Sequence, residues 1–185
     1  MTAVTLRDLK AEDIERLRHW RNSSEVSEYM YTRGTISEED HARWFTAIQR
    51  DASRKYWIVE LDEVPIGLLN LCDIDEKNSS TNWGFYLASE TIRGRGIGSY
   101  CEFWIQRYVF ETLGFNKIWG EIVSNNHRML HNHEKFGFRR EGLFRSHVLI
   151  DGEYFDVIRI GLLAEEWRGM KDQLSKIVEK KGFVI

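Results

Sequence analysis

The sequence has 185 residues, of which 42% are hydrophobic and 30% are charged, a composition typical of a globular domain with a buried core. Its formal net charge of −3 argues against the broad basic surface of a nucleic-acid-binding protein. No apolar run approaches the ~20 residues of a membrane span, no signal-peptide pattern is visible, and Cys72 and Cys101 have no metal or redox spacing. We therefore expect one cytoplasmic domain over residues 1–185, a monomer or homodimer that binds neither nucleic acid nor membrane.

The hydrophobic spacing predicts helices and strands in alternating groups. The elements predicted in the first half of the chain are a strand at 2–6, a helix at 12–20, a helix with Ser37 as its N-cap, strands at 56–61 and 66–74 around a turn at 62–65, and a strand at 81–88. Those predicted in the second half are a helix at 97–113 that ends at Gly114, a strand at 117–123, a helix at 126–136, strands at 144–150 and 154–162 around Asp151-Gly152, and a helix at 165–178. This order predicts an α/β fold built on a mixed sheet.

A glycine-rich loop separates the strand at 81–88 from the helix at 97–113, and its pattern is R-x-x-G-x-G, from Arg93 to Gly98. The first N–H groups of a helix have no partner within the helix, and glycines let a phosphate approach the backbone closely. The loop therefore predicts a binding site for a phosphorylated ligand. Its glycine spacing matches neither the dinucleotide-binding fingerprint nor the P-loop, which needs a lysine after its last glycine.

The helix at 126–136 carries a second motif, N-x(8)-K-x-G-F, from Asn126 to Phe138. The glycine-rich motif comes first along the chain and the Asn126 motif second, and in this order the two motifs resemble those of the GCN5-related N-acetyltransferase superfamily. The resemblance implies an α/β (α+β) fold with a central mixed, mostly antiparallel sheet flanked by helices, acetyl-CoA as cosubstrate, and no metal. The acetyl-CoA contacts that it implies lie at the end of the strand, in the loop and on the second-motif helix: Phe85, Tyr86, Leu87, Arg93, Gly94, Arg95, Gly96, Ile97, Gly98, Ser99, Asn126 and Lys135.

Acetyl transfer from a thioester to an amine needs a polarised carbonyl, a neutral amine and a thiolate that can leave. The resemblance assigns the polarising group to a backbone N–H near Leu87. His133 stands where the family often has a tyrosine that protonates the leaving sulfur, and an imidazole can donate a proton from either ring nitrogen. The alternative is a structural His133, with water as the proton source, as in relatives that have leucine there.

Glu121 lies in the otherwise apolar strand at 117–123, where a charge without a partner is costly. It is either the base that accepts the ammonium proton of the acceptor, directly or through water, or a residue of an exposed strand face. His127, His131 and Glu134 share one face of the next helix with the spacing of metal ligands, which a solvated polar face explains equally well.

Aromatic, methionine and arginine side chains in the first third of the chain indicate the acceptor site. Arg21 and Met30-Tyr31 can hold a base and clamp a phosphate, although ordinary core aromatics explain the same composition. The pattern W-R-N-x(7)-M-Y, with E-G-x-F-R-x-H-V-x-x-D-G-E-Y-F-D-V near the C-terminus, resembles the pseudaminic-acid-pathway N-acetyltransferases, which acetylate the 4-amino group of a UDP-linked amino-deoxy sugar. That resemblance implies nucleotide contacts by Arg21, Met30 and Tyr31, Glu121 as the base, and His133 in the place of the acid.

Two other functions stay open at this point. The same W-R-N start also resembles the ribosomal-protein N-terminal acetyltransferases, whose acceptor is a peptide α-amine. A catalytically silent acetyl-CoA-binding module is the other alternative, and Glu121 with His133 argues against it. Cys72 and Asp73 depart from the sugar-nucleotide family, because polar or basic pocket residues are expected at these positions.

Overall fold

The computed structural model describes residues 3–28, 30–88, 92 and 94–184. The strands are β1 (Val4–Asp8), β2 (Lys55–Leu61), β3 (Val64–Asp75), β4 (Ser80–Leu87), β5 (Lys117–Val123), β6 (Arg139–Ile150) and β7 (Glu153–Leu163). The helices are α1 (Ile14–Asn22), α2 (Ser24–Ser27), α3 (Glu38–Ile48), α4 (Ile97–Arg107), α5 (His127–Lys135) and α6 (Ala164–Glu179). Within the described part of the chain, no helix is long and apolar enough to cross a membrane.

All seven strands belong to one sheet, in the order β1-β2-β3-β4-β5-β7-β6. Neighbouring strands are antiparallel except for β4 and β5, which pair in parallel. The predicted central sheet, mixed and mostly antiparallel with flanking helices, is therefore confirmed.

Two tight turns fix the register of the hairpins. Asp62-Glu63 joins β2 to β3, and Asp151-Gly152 joins β6 to β7, and all four residues have positive φ. Two-residue turns of this conformation match the right-handed twist of the strands that they join. The first turn is therefore shorter than the predicted turn at 62–65, and Pro65 lies inside β3, opposite Glu60 at a register shift.

Three elements differ from the sequence-based expectation. β6 begins at Arg139 rather than at 144, because its first residues are exposed and mostly polar and gave no apolar alternation, yet they pair with β7. The predicted helix at 97–113 is α4 followed by a π-helical turn at Tyr108–Thr112. The short helix α2 is polar apart from Val26, and therefore carries no hydrophobic period.

Hydrophobic clusters hold helices against both faces of the sheet. On one face, Phe103 of α4 and Trp167 of α6 lie in the larger cluster. On the other face, Leu17 of α1 and Trp44 of α3 pack around Ile58 of β2. Because side chains alternate along a strand, β2 supplies residues to both clusters. The sheet is thus a rigid layer with helices on each side.

β4 and β5 stop pairing soon after they begin. Their parallel ladder joins Ser80, Thr81 and Asn82 to Lys117–Trp119 and goes no further. The later residues of β4, up to Leu87, pair only with β3, and those of β5, up to Val123, pair only with β7. The two strands therefore present facing edges that are free of sheet hydrogen bonds, and the predicted site residues gather here.

Candidate active site

A cleft of about 1550 Å³ opens where β4 and β5 part. The N-terminus of α4 and the helix α5 line the side predicted to bind the cofactor, called the cofactor side below, and α1, α3 and the segment around Met30 line the side predicted to bind the acceptor, called the acceptor side. Arg95 is exposed and does not line the cleft, and Arg93 lies outside the described residues. The cleft brings together the other predicted site residues: Arg21, Met30, Tyr31, Phe85, Tyr86, Leu87, Gly94, Gly96, Ile97, Gly98, Ser99, Glu121, Asn126, His133 and Lys135.

The glycine-rich loop turns into α4 at Gly96, which is the N-cap of the helix. Gly96 has a φ of +85°, a left-handed conformation that residues with a Cβ rarely adopt. A Cβ there would lie 2.5 Å from Cδ of Lys181, and Nζ of Lys181 donates a hydrogen bond to Oγ of Ser99 at 2.9 Å. Lys181 therefore places a positive charge beside the free N–H groups of the helix end, an arrangement that suits an anion.

The end of β4 directs a backbone amide into the cleft. The N–H of Ala88 donates to the carbonyl oxygen of Ile66 at 2.8 Å, so this amide faces β3. Because successive amides of a strand face opposite edges, the N–H of Leu87 faces the side where β5 no longer pairs. This amide is free to polarise a carbonyl in the cleft.

Helix α5 contributes both of its ends to the cleft. Asn126 is its N-cap, and its Oδ1 accepts a hydrogen bond from the N–H of Met129 at 3.2 Å, so the side chain closes the first turn. Lys135 is the last residue of α5 and is exposed at the cleft. The motif residues of this helix thus combine a structural cap with a surface cation.

His133 is buried in the wall of the cleft, with 7% of its surface exposed. Its Nδ1 lies 2.7 Å from Oε1 of Glu102, a residue of α4 that is only 2% exposed. Trp83 and Phe138 meet the imidazole edge-on, with ring centroids 5.2 and 5.6 Å away. These contacts hold the ring in one orientation, and Nε2 is left without a partner among the described residues.

Glu121 is held between two side chains. Nη1 of Arg159 donates to its Oε1 at 2.8 Å, and the hydroxyl of Tyr31 donates to its Oε2 at 3.4 Å. Arg159 also lies 3.2 Å above the ring of Trp119. Burial, and then the charge of Glu121, raise the pKa of Tyr31, so its phenol stays protonated and able to donate. Glu121 is therefore a partnered carboxylate at the cleft.

The acceptor side contains a cation and a hydroxyl that have no partner among the described residues. Nε of Arg21 and the hydroxyl of Tyr86 are both buried and unpaired. Burial raises the pKa of Tyr86, and the charge of Arg21 partly opposes that shift. Burial lowers the pKa of His41, and the charges of Arg18 and Arg21 add to this effect. The Trp44 ring stacks on His41 with centroids 4.8 Å apart. The charge of Arg21 and this aromatic surface are therefore neighbours.

The side chains of Phe85 and Tyr86 lie on opposite faces of the sheet, although both were predicted as acetyl-CoA contacts. Phe85 faces the loop, because a Cβ added to Gly98 would lie 3.5 Å from its ring. The ring of Tyr86 packs edge-on against Trp20 with centroids 6.4 Å apart, on the acceptor side. This follows from the alternation of side chains along β4.

The helix face with metal-ligand spacing is a solvated polar face. His127 and His131 are exposed, and Glu134 pairs with Arg140 through a contact of 2.8 Å. Among the residues that the structure describes, no group of three or more His, Cys, Asp and Glu side chains could hold a metal ion.

Three residues that contact predicted site residues were not predicted from the sequence. Glu102 interrupts the apolar helix after the loop, and a charge within that helix was a signal that could have identified it. Arg159 lies directly opposite Glu121 in the register of β5 and β7, which no pattern within one strand reveals. Lys181 is one of two consecutive lysines after α6, and nothing in the sequence connects it to the loop.

Comparison with known proteins identifies the family. The model of the acetyltransferase (GNAT) domain matches residues 3–139. The acetyltransferase PseH of Campylobacter jejuni is 28% identical over 66% of this chain and 74% of its own. A prophage-derived N-acetyltransferase of Bacillus subtilis, YokL, is 32% identical over 65% of this chain and 67% of its own.

Solved structures agree on the fold. Spermidine N-acetyltransferase from Vibrio cholerae, in complex with CoA and spermine, superimposes with a TM-score of 0.83 at 23% identity, over 89% of this chain and 98% of that one. The predicted fold is therefore confirmed. Because the family model spans the glycine-rich loop, β4 and α5, the chain belongs to the GNAT acetyltransferase family and is an N-acetyltransferase that uses acetyl-CoA.

Proposed function

We propose that this enzyme acetylates the 4-amino group of a UDP-linked amino-deoxy sugar, as in the biosynthesis of pseudaminic acid or a related glycan. The observation that supports this most strongly is Arg21, whose Nε is buried on the acceptor side without a partner among the described residues. A buried polar group without a hydrogen bond costs about 1–3 kcal/mol, and more if it is charged. A phosphate group of the acceptor would remove that cost, because a guanidinium matches phosphate oxygens.

The groups beside Arg21 suit the rest of a nucleotide. The unpartnered hydroxyl of Tyr86 can donate to a phosphate or ribose oxygen. The stacked rings of His41 and Trp44 offer an aromatic surface for a base. We further infer that Met30 and Tyr31, which line the same side of the cleft, contact the nucleotide.

A polyamine is the main rival acceptor, since the Vibrio cholerae structure contains spermine. A polycation would meet four acids on this side of the cleft, Glu25, Glu28, Asp40 and Glu121, of which the last two are already paired with Arg43 and Arg159. Its charge would also face Arg21. The buried Nε of Arg21, which has no partner among the described residues, therefore favours an anionic acceptor. A peptide α-amine, the other alternative, brings no phosphate to Arg21.

On the cofactor side, we infer that the free N–H groups at the start of α4 hold the diphosphate of acetyl-CoA, together with Ser99 and Lys181. The N–H of Leu87 would polarise the thioester carbonyl. Lys181 lies beyond the residues that the family model matches, yet it contacts the loop. We therefore infer that residues 1–185 work as one acetyltransferase domain. We also infer that it works in the cytoplasm, where acetyl-CoA is available.

For the chemistry, we infer that Glu121 accepts the ammonium proton of the acceptor, directly or through water, so that the amine becomes a nucleophile. The amine then attacks the carbonyl carbon of acetyl-CoA. His133 protonates the sulfur as the carbon–sulfur bond breaks. Both residues line the cleft between the cofactor and acceptor sides, as these roles require.

Replacing Arg21 with methionine tests the proposed acceptor site. The change keeps the apolar stem and removes the charge, so KM for the UDP-amino sugar is expected to rise about 10–100-fold, since a charge-assisted hydrogen bond contributes about 1.5–3 kcal/mol. The KM for acetyl-CoA is expected to stay nearly constant. Steady-state kinetics with each substrate varied in turn measures both values.

Arg18→Met is the matched control, because Arg18 belongs to the same helix but pairs with Glu15 and does not line the cleft. It is expected to leave both KM values unchanged. An Arg21→Met enzyme with a raised KM for acetyl-CoA and an unchanged KM for the acceptor would reverse the assignment of the two sides.

A further inference from the structure

Glu102 is a buried carboxylate that the reaction described above does not use. It lies in the second turn of α4, between Cys101 and Phe103, which are both fully buried. A carboxylate without a partner is costly in such surroundings. Its partner is Nδ1 of His133 at 2.7 Å, so the pair joins α4 to α5 in the wall of the cleft.

This contact determines what the imidazole can do. When Glu102 is ionised it can only accept a hydrogen bond, and the proton between the two groups then lies on Nδ1. Nε2 then carries a lone pair when the ring is neutral and a proton when it is charged. Because Nε2 has no partner among the described residues and His133 lines the cleft, this atom is free to exchange a proton with a reacting group.

We propose that Glu102 is a positioning residue that makes His133 a carrier of one proton, from the attacking nitrogen to the CoA sulfur. The inference rests on the N-acetyltransferase reaction and adds a proton source to the proposed role of His133. Glu102 fixes the ring with Nε2 towards the cleft and stabilises the imidazolium that forms in passing, by the same logic as the carboxylate of a catalytic triad.

The step balances without any other reactant. The neutral amine forms a C–N bond with the thioester carbon, and the π pair of the carbonyl moves to oxygen. Nε2 takes a proton from the nitrogen, which has become positively charged. The oxygen pair re-forms the carbonyl, the C–S bond breaks with its electron pair on sulfur, and the proton on Nε2 passes to that sulfur. The products are an amide and a thiol, and His133 is neutral again.

The acceptor amine loses two protons, and each leaves by its own route. The first leaves the ammonium before attack and goes to Glu121, which Arg159 and Tyr31 hold at the cleft. The second leaves the nitrogen after attack and travels through His133. Each carboxylate therefore has its own task, and Glu102 needs no contact with either substrate.

The first test is Glu102→Gln in the full-length enzyme, with acetyl-CoA and a UDP-4-amino sugar. The amide oxygen can still accept from Nδ1, so the ring keeps its place, but the charge that stabilises the imidazolium is lost. We expect kcat to fall about 10-fold, at the low end of general acid–base contributions, and both KM values to stay within about twofold. An unchanged kcat would overturn the proposal.

Gln106→Met is the matched control. Gln106 is fully buried on the same helix, one turn later, and its Nε2 donates to the carbonyl oxygen of Phe136 at 3.0 Å. Losing this link between α4 and the end of α5 should lower the melting temperature and leave kcat unchanged. If kcat falls as much in Gln106→Met as in Glu102→Gln, the effect of Glu102 is structural and the proposal is wrong.

A double-mutant cycle separates positioning from packing. In a His133→Gln background, Glu102→Gln should change kcat by less than about twofold, because two residues that act as one unit are not additive. A full 10-fold loss in that background would show that Glu102 acts independently of His133, which contradicts the proposal.

The tautomer of His133 provides a test that needs no acceptor and no variant enzyme in turnover. In the CoA-bound wild-type protein, long-range ¹H–¹⁵N NMR should show the proton on Nδ1, with His133→Gln identifying the signals. A neutral ring with its proton on Nε2 would overturn the proposal. If wild type does not acetylate the UDP-amino sugar, the proposed acceptor fails, whereas the NMR result still decides the role of Glu102.

Discussion

Replacing His133 with glutamine is expected to lower kcat about 10–100-fold, within the usual contribution of a general acid–base residue or just below it. The amide can donate to Glu102 and fill most of the space of the ring, but it cannot exchange a proton with nitrogen or sulfur. The dissociation constant of acetyl-CoA should barely change, because the proposed diphosphate site at Gly96 and Ser99 is untouched. Steady-state kinetics and calorimetric titration with CoA measure the two quantities.

Glutamine is a better probe than phenylalanine at this position. Phenylalanine would leave the carboxylate of Glu102 buried without a partner, and an unpaired buried polar group costs about 1–3 kcal/mol, and more if it is charged. The loss of activity would then include unfolding. If His133→Gln retains the full kcat across the working pH range, the imidazole is structural and solvent supplies the proton to sulfur.

Replacing Gly96 with valine is expected to weaken acetyl-CoA binding about 100-fold or more. The new side chain would need a left-handed backbone at a φ of +85° and would meet Lys181, so the loop and the lysine must both move away from the proposed diphosphate site. Two lost charge-assisted hydrogen bonds at about 1.5 kcal/mol each account for a loss of this size. Titration of the folded variant with CoA measures it.

Gly114→Val is the matched control for backbone strain. Gly114 has a φ of +67°, with nothing within 4 Å of an added Cβ, and it does not line the cleft. This variant should lose stability and keep its affinity for CoA. If Gly96→Val binds CoA as wild type does, the diphosphate does not lie at this loop.

Local sequence signals predicted the fold well, because each rests on a short-range physical rule. Asp151-Gly152 marks a hairpin turn, and Ser37 caps α3 by accepting a hydrogen bond from the N–H of Asp40 at 3.1 Å. The strand predicted at 117–123 matches β5. The glycine-rich loop was recognisable because a phosphate site at a helix end needs small residues in one short segment.

The remaining features of the site depend on contacts between distant segments. Glu102 and His133 meet because α4 packs beside α5, and Arg159 reaches Glu121 through the register of β5 and β7. The separation of β4 from β5 is set by the whole sheet and left no signal in either strand. Tertiary contacts of this kind have no spacing rule, so a single sequence did not predict them.

The identity of the acceptor is the central claim, and a competition of substrates tests it most directly. Thiol release from acetyl-CoA should be measured with a UDP-4-amino-4,6-dideoxy-N-acetyl sugar, with spermidine and with an N-terminal peptide, each over a range of concentrations. We expect kcat/KM for the sugar nucleotide to exceed the other two values about 100-fold or more, because of the three acceptors only the nucleotide brings a phosphate to the buried Nε of Arg21. A higher kcat/KM for spermidine or for the peptide would contradict the proposed function.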